Sequence, residues 1–325
     1  MQYYMEYTLG WRGDSGKKAD KGTIVHKVLE LCALAKKALQ DGYATFEDHE
    51  IGEIETANYD PEYLDEIIDR VYEYYTSRTT HHDWKPLDLK HCRRRVWKIF
   101  NDDDGFFDPK NRTIVEAEPH FDFEIEEDWA AYEYELADGT KLKGNLALKG
   151  TIDLITDIGD GVYEIIDWKT GRRLDWATGK EKTQAKLQKD PQLRMYHLAC
   201  KKLYPEVETF LVTIHFMNDG GPFTLHFQDS DIPETLEMIK AKFNVIKNTK
   251  TPELRKSWKC SKLCPAGKTT YEGTNVDVMD NMFGAPLTKC EQTKIMIKEN
   301  GIEWVTANCM SPDHAIGKYK APGEV

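Results

Sequence analysis

The sequence has no stretch approaching the roughly 18 to 20 uninterrupted apolar residues that a membrane-spanning helix needs, which excludes a transmembrane segment and a membrane partner. Its opening, Met1-Gln2-Tyr3-Tyr4-Met5-Glu6-Tyr7, lacks the basic and then apolar pattern of a signal peptide, so the chain is expected in the cytoplasm. Internal repeats and low-complexity segments are also missing, which excludes solenoids and arrays and leaves one continuous fold with embellishments. Basic charge is in short supply. The formal net charge is −12 over 325 residues, the wrong sign for a protein that grips a phosphate backbone.

That average conceals segregation. Residues 102–138 hold fourteen carboxylates against Lys110 and Arg112 alone. Residues 169–189 reverse the balance, with Lys169, Arg172, Arg173, Lys180, Lys182, Lys186 and Lys189 facing only Asp175 and Glu181. A second basic stretch covers 247–268, and Arg93-Arg94-Arg95 makes a third. A single charge run is ordinarily a solvated face. With 40% apolar residues, a chain of this length can bury a substantial core.

Periodicity predicts helices over 23–40, from Pro61 onward, and over 87–100, the last two forming a helical, acidic insertion at about 41–112. Short strands are expected at 113–118, 121–126 and 132–136, the last turning at Asp138-Gly139. Two stronger strands, 146–156 and 162–168, flank Ile158-Gly159-Asp160-Gly161 as a hairpin. Asp190-Pro191 opens a helix to about 203, followed by a second hairpin, 207–217 and 222–227, across Asn218-Asp219-Gly220-Gly221, and a helix at 233–247. The expected class is α/β, a mixed sheet with helices on its faces.

The informative residues are Gly150-Thr151-Ile152-Asp153 and, across one hairpin, Asp167-Trp168-Lys169-Thr170-Gly171. Side chains alternate along a strand, so Asp167 and Lys169 share a face, and one register brings Asp153 opposite them. Carboxylates beside a lysine in apolar strands cost desolvation energy that a bound cation offsets. Glu164 is read as a surface residue, and Glu116 and Glu118 as alternative extra ligands. His26, on a helix rich in apolar neighbours, reads taken alone as a core histidine, and Glu30 one turn on as its structural partner.

Four blocks resemble the RecB-type exonucleases of the PD-(D/E)XK superfamily, which include CRISPR-associated and phage-encoded relatives: Gly22-Thr23-Ile24-Val25-His26-Lys27-Val28-Leu29-Glu30, the two strand motifs, and Asp190-Pro191-Gln192-Leu193-Arg194-Met195-Tyr196. The resemblance runs from about Tyr3 to Cys264. It implies a restriction-endonuclease-like core over 1–258 and a divalent-metal-dependent deoxyribonuclease, a hydrolase acting on single-stranded DNA or DNA ends in recombination, repair, replication or phage metabolism, with a helicase or recombination protein as partner. It implies His26, Asp153, Asp167 and the Trp168 carbonyl as metal ligands, Lys169 as catalytic lysine, and Gln192 and Tyr196 on the DNA-facing side. Two carboxylates and an imidazole suit Mg²⁺ or Mn²⁺. Arg172, Arg173 and Lys186 are the expected DNA contacts.

Of seven cysteines, Cys260, Cys264, Cys290 and Cys309 lie in the C-terminal region 259–325. The resemblance implies an iron-sulfur (4Fe-4S) cluster held by one cysteine before the histidine helix and three near the C-terminus. No cysteine precedes His26 here, and residues 2–7 resemble the segment just after that cysteine, so the chain is expected to begin at an internal methionine. Zn²⁺ on the four late thiols, or no metal, are the alternatives. Cys32, Cys92 and Cys200 read as core. A catalytically silent DNA-binding or recombination accessory module with a zinc-binding interaction tail is the competing function, and the complete set His26, Asp153, Asp167 and Lys169 argues against it.

Overall fold

The computed structural model describes residues 1–13, 16–58, 60–101, 105–135, 141–174, 179–218, 220–249, 251–271, 280, 282 and 284–311. The chain divides into two compact units, one of residues 15–132 and 143–243, the other of 1–14, 133–142 and 244–325. Among the described residues no helix is long and apolar enough to cross a membrane.

The larger unit begins with helix α1, Lys17–Gln40, which buries Ile24, Val25, Val28, Leu29, Leu31 and Ala35. It starts six residues earlier than the apolar pattern indicates. Its first turn, Lys17-Lys18-Ala19-Asp20, carries no apolar period, and the turn is held instead by Lys17 and Lys21 reaching Asp88 at 2.8 and 2.9 Å. A short ribbon follows, β1 (Thr45–Asp48) against β2 (Gly52–Glu55), in the part of the insertion before Pro61 where no strand was expected. Helices α2 (Pro61–Thr76) and α3 (Pro86–Asn101) complete the insertion and pack on α1 through Leu64, Ile68, Val71, Cys92, Val96 and Ile99. The triple arginine of α3 is partly consumed within it, Arg93 lying 2.5 Å from Asp69.

Strands β3 (Thr113–Ala117), β4 (His120–Glu124), β5 (Ala131–Glu135), β6 (Lys141–Asn145), β7 (Ala147–Thr151), β8 (Leu154–Asp157) and β9 (Val162–Lys169) come next. The turn expected at Asp138-Gly139 lies outside the described residues. The single strand expected over 146–156 is two strands. β7 pairs with β4, whereas β8 pairs with β9 and β3, and the change of sheet falls at Ile152-Asp153. Apolar alternation cannot show such a switch, because both halves present apolar residues in step. Gly159 and Gly161 take positive φ, as the tight β8–β9 connection requires.

Short α4 (Gln184–Leu187) and then α5 (Pro191–Leu203) cross over to β10 (Thr209–Phe216), which lies parallel to β9 and antiparallel to β11 (Gly220–Gln228). A parallel neighbour needs this helical crossover. Asp190 caps α5 by accepting the Gln192 N–H at 3.1 Å. Of the turn expected at 218–221, Asp219 lies outside the described residues. The five-stranded sheet runs β11-β10-β9-β8-β3. Leu154, Ile166 and Trp168 join the α1 core on one face, and Ile155, Ile165, Val212 and Ile214 join Leu193, Tyr196 and Ala199 on the other. Helix α6, Ile232–Asn248, packs Leu236 and Ile239 with Leu198, Ile125 and Ala130.

Glu164 is not a surface residue. It is only 3% exposed, paired with Arg112 and accepting from Thr213, while Arg112 also donates to Thr156 at 2.9 Å. The Arg112 guanidinium lies 4.6 Å from the Phe106 ring centroid. Strand phase correctly puts Glu164 opposite Asp167, but that second face is covered by protein rather than water.

In the smaller unit, α7 (Trp258–Lys262), α8 (Pro265–Lys268), α9 (Lys289–Asn300) and α10 (Ile302–Asn308) enclose the chain's opening. Tyr4, Met5 and Leu9 share a core with Cys264, Tyr271, Cys290, Met296, Val305 and Cys309. Trp11 Nε1 donates to the Cys309 carbonyl at 2.9 Å, and Ser311 N–H to that of Leu9 at 2.7 Å.

Removing one partner of the Arg112–Glu164 pair strands a charge inside the larger unit, so Glu164→Ala is expected to cost about 3 to 5 kcal/mol. Urea unfolding measures this, and a loss below about 1 kcal/mol, the worth of a surface pair, contradicts it.

Candidate active site and metal centre

The site grows out of the β8–β9 register. Leu154 pairs with Ile166, and one further step sets Asp153 opposite Asp167. Asp153 and Asp167 are 8% and 1% exposed. The Asp153 carboxylate leaves the ladder and accepts the Trp168 N–H through Oδ2 at 2.7 Å. Its other oxygen faces His26 Nδ1 at 3.3 Å, so α1 delivers the imidazole to the strand break. Lys169 Nζ lies 2.8 and 2.7 Å from the two oxygens of Asp167. His26, Asp153, Asp167 and Lys169 therefore stand together.

Glu118 completes the group. It follows β3 with φ of 50°, in the left-handed region that a non-glycine residue seldom occupies, and its N–H donates to the Asp153 carbonyl at 3.1 Å. One donor atom each from His26, Glu118 and Asp153 lies within 4.8 Å of the others, close enough to share one cation. Glu116, the alternative, turns to Lys37 at 2.8 Å. The sequence signal was Glu118-Pro119 at the end of a strand; the backbone twist that aims the side chain was not readable. Glu30 instead pairs with Lys27 at 3.0 Å, and Lys27 reaches on to Asp48 at 2.9 Å.

The electrostatics are those of crowded acids. Burial, then Asp153 and Glu30, pushes Glu118 up to about 7. Burial raises Asp167 as well, against the pull of Lys169 and with the help of Asp153. Burial draws the His26 imidazole down, but Asp153, Asp167 and Glu118 outweigh it and raise it overall. Each of these shifts is what acids crowded together without a neutralising partner produce. Oxygen and imidazole donors fit Mg²⁺ or Mn²⁺.

Gln192 Nε2 donates to Tyr196 Oη at 2.8 Å. The Tyr196 phenol is raised by burial and then by Asp167 and Asp153, so the ring both packs against Phe121 and borders the acids. Trp168 reaches the site through its N–H, with its side chain buried on the opposite face. Of the expected DNA contacts, Arg172 and Lys186 are exposed, while Arg173 is 2.6 Å from Glu181 and lies over Phe223.

Cys264, Cys290 and Cys309 are buried and Cys260 is partly so. Burial, then Cys264 and, further down, Cys260, pushes the Cys290 thiol up to about 12. Cys309 instead has its Sγ 3.8 Å from Met296 Sδ. Among the described residues only the His26 group brings three donor atoms within one ion's reach, so the four thiols as they stand do not fit a tetrahedral Zn²⁺ site. Cys92 and Cys200 are buried, and Cys32 packs at the edge of the core.

A mixed sheet between helices, with facing aspartates and a lysine on its central hairpin, defines a restriction-endonuclease-like protein. The chain belongs to the PD-(D/E)XK nuclease superfamily, whose family model matches residues 1–268. Among solved structures, it is similar to an exonuclease so described from Eubacterium rectale, at 14% identity and a TM-score of 0.38, over 65% of this chain and 74% of that one. It is also similar to a protein named SSO0001, at 16% identity and a TM-score of 0.25, over 64% and 75% of the two chains. No curated protein sequence matches it.

Glu118 sits at about 7, above its ordinary value, so the folded, metal-free protein keeps a proton that the unfolded chain releases at about pH 4.3. Stability without metal should therefore fall as pH rises through that window, and Mn²⁺ affinity should strengthen toward its upper end. Calorimetry in EDTA and Mn²⁺ titration check both; Glu118→Gln should flatten the first and weaken binding about tenfold or more, with Glu116→Gln resembling the parent.

Proposed function

We propose that this protein is a RecB-type, divalent-metal-dependent deoxyribonuclease, an exonuclease hydrolysing phosphodiester bonds in single-stranded DNA or at DNA ends. One observation carries the reading: an imidazole and acids converge at a break in the sheet, beside a lysine tied to a buried aspartate. Superfamily membership gives nuclease chemistry as the prior. A role in recombination, repair, replication or phage DNA metabolism, a cytoplasmic location, and a helicase or recombination partner belong to the same proposal.

Asp153, His26, Glu118 and Asp167 would hold Mg²⁺ or Mn²⁺, with the Trp168 carbonyl as a further oxygen. That ion supplies Lewis-acid polarisation of the scissile phosphate and a lowered pKa for the attacking water. Lys169 presents a positive charge where negative charge develops on the phosphate, and its pairing with Asp167 fixes the ammonium in place. Gln192, held by Tyr196, presents an amide to the strand or to water. Arg172 and Lys186 contact phosphates outside the reacting bond, with Arg173 contributing once Glu181 yields it. The nuclease domain spans 1–258, and the region 259–325 carries the thiols. A thiol-held group, iron-sulfur or zinc, is checked by visible absorbance and metal analysis of the purified protein.

Asp153→Ala, Asp167→Ala and Lys169→Ala should each abolish Mn²⁺-dependent cleavage of end-labelled linear DNA while DNA binding persists. Parent-like activity in Asp167→Ala removes the assignment. Circular single strands, offered in parallel, resist an exonuclease and are cut by an endonuclease. Arg172→Glu should weaken single-strand binding and make its logarithmic salt dependence shallower by about 0.7.

A further inference from the structure

The basic run that begins at Lys169 is heavily engaged: Lys169 with Asp167, Arg173 with Glu181, and Lys182 with Asp190. The second run, in the smaller unit, is different. Residues 254–268 carry Arg255, Lys256, Lys259, Lys262 and Lys268 and no acid at all. Arg255 and Lys256 pair with Glu253 and Glu291, yet their side chains stay 87% and 70% exposed. Lys259, Lys262 and Lys268 are exposed, and among the described residues none has a carboxylate in ion-pair range.

Amid these cations stands Trp258, with 49% of its surface in water. Lys262 lies one helical turn further along α7, on the same face. The backbone beneath them is fixed, because Cys264 and Ala266 are buried in the unit's core and Gly267 abuts the Cys260 carbonyl so closely that a Cβ has no room. A large ring half in water on a rigid base, with the unneutralised Lys262 on its face of the helix and Lys259 next to it in sequence, matches one kind of partner. Single-stranded nucleic acid offers a flat base to stack and phosphates to pair, with no requirement for sequence. An acidic peptide matches the charges but offers the indole no flat surface.

We propose that residues 255–268 form an accessory single-strand-binding strip, with Trp258 as a base-stacking platform and Lys259, Lys262 and Lys268 as phosphate contacts. The choice of DNA as the nucleic acid rests on the nuclease reading; the strip itself does not. It retains the strand without reading sequence and takes no part in bond cleavage.

The test uses the full chain in EDTA, where no cleavage occurs, and a fluorescein-labelled oligothymidylate followed by anisotropy across a salt series. Trp258→Ala should weaken binding about tenfold, and Trp258→Phe, which keeps a ring, should restore most of it. The double variant Lys259→Glu, Lys262→Glu should make the log–log salt slope shallower by about 1.4. Parent-like binding in both Trp258→Ala and the double variant overturns the strip. Weaker binding in the double variant alone, with both Trp258 variants like the parent, overturns the stacking platform, because the loss then reports phosphate contacts without a stacked base. Mn²⁺-dependent cleavage by the parent, at saturating DNA, separates the two proposals: its absence with the binding effects intact sinks the nuclease reading alone, and its presence with parent-like variants sinks the strip alone.

Discussion

The larger unit depends on how the Asp153 carboxylate is held. One oxygen accepts the Trp168 N–H and the other faces His26, so a single side chain joins the strand carrying the lysine, the strand break and the first helix. A buried carboxylate is tolerated only when its oxygens are satisfied. Here the partners that satisfy it are the backbone next to Lys169 and the imidazole of the first helix. Asp167, still more deeply buried, draws on Lys169 in the same way.

Acids crowded so closely repel one another, and the surroundings show how that repulsion is contained. Glu118 is kept in the group by a strained backbone and a bond to the Asp153 carbonyl. Behind it, Lys27 ties Glu30 of the same helix to Asp48 of the β1–β2 ribbon. Asp48 in turn accepts the Glu50 and Ile51 N–H groups, and Tyr74 and Tyr75 donate to Glu50. The insertion is thus more than an embellishment, because it braces the helix that carries the imidazole. A cation among the acids would relieve the remaining repulsion, and oxygen and imidazole donors are of the type that suits a divalent ion.

Much of this was legible beforehand. Alternation along 162–169 placed Asp167 and Lys169 on one face, because side chains repeat with period two, and a single hairpin register then set Asp153 opposite them. The Asp190-Pro191 helix start was readable because a cap and a first-turn proline are local chemistry. The β1–β2 ribbon was missed because four-residue strands give too few alternations to register. The break at Ile152-Asp153 was missed because it changes partners, not pattern. Glu164 was misplaced because a charge on a strand face is satisfied equally by water or by an arginine from a distant part of the chain, and alternation says nothing about which.

Local order along the chain determined the helix and strand types, the shared face of Asp167 and Lys169, and the segregation of charge, since each depends on neighbours a few residues apart. Only the tertiary structure decided that Glu118 rather than Glu116 joins His26 and Asp153, that Arg173 is tied while Lys262 is not, and that Cys309 turns toward Met296. Those outcomes depend on which distant groups share a small volume, and energies of pairing and desolvation are set there, not by position along the chain.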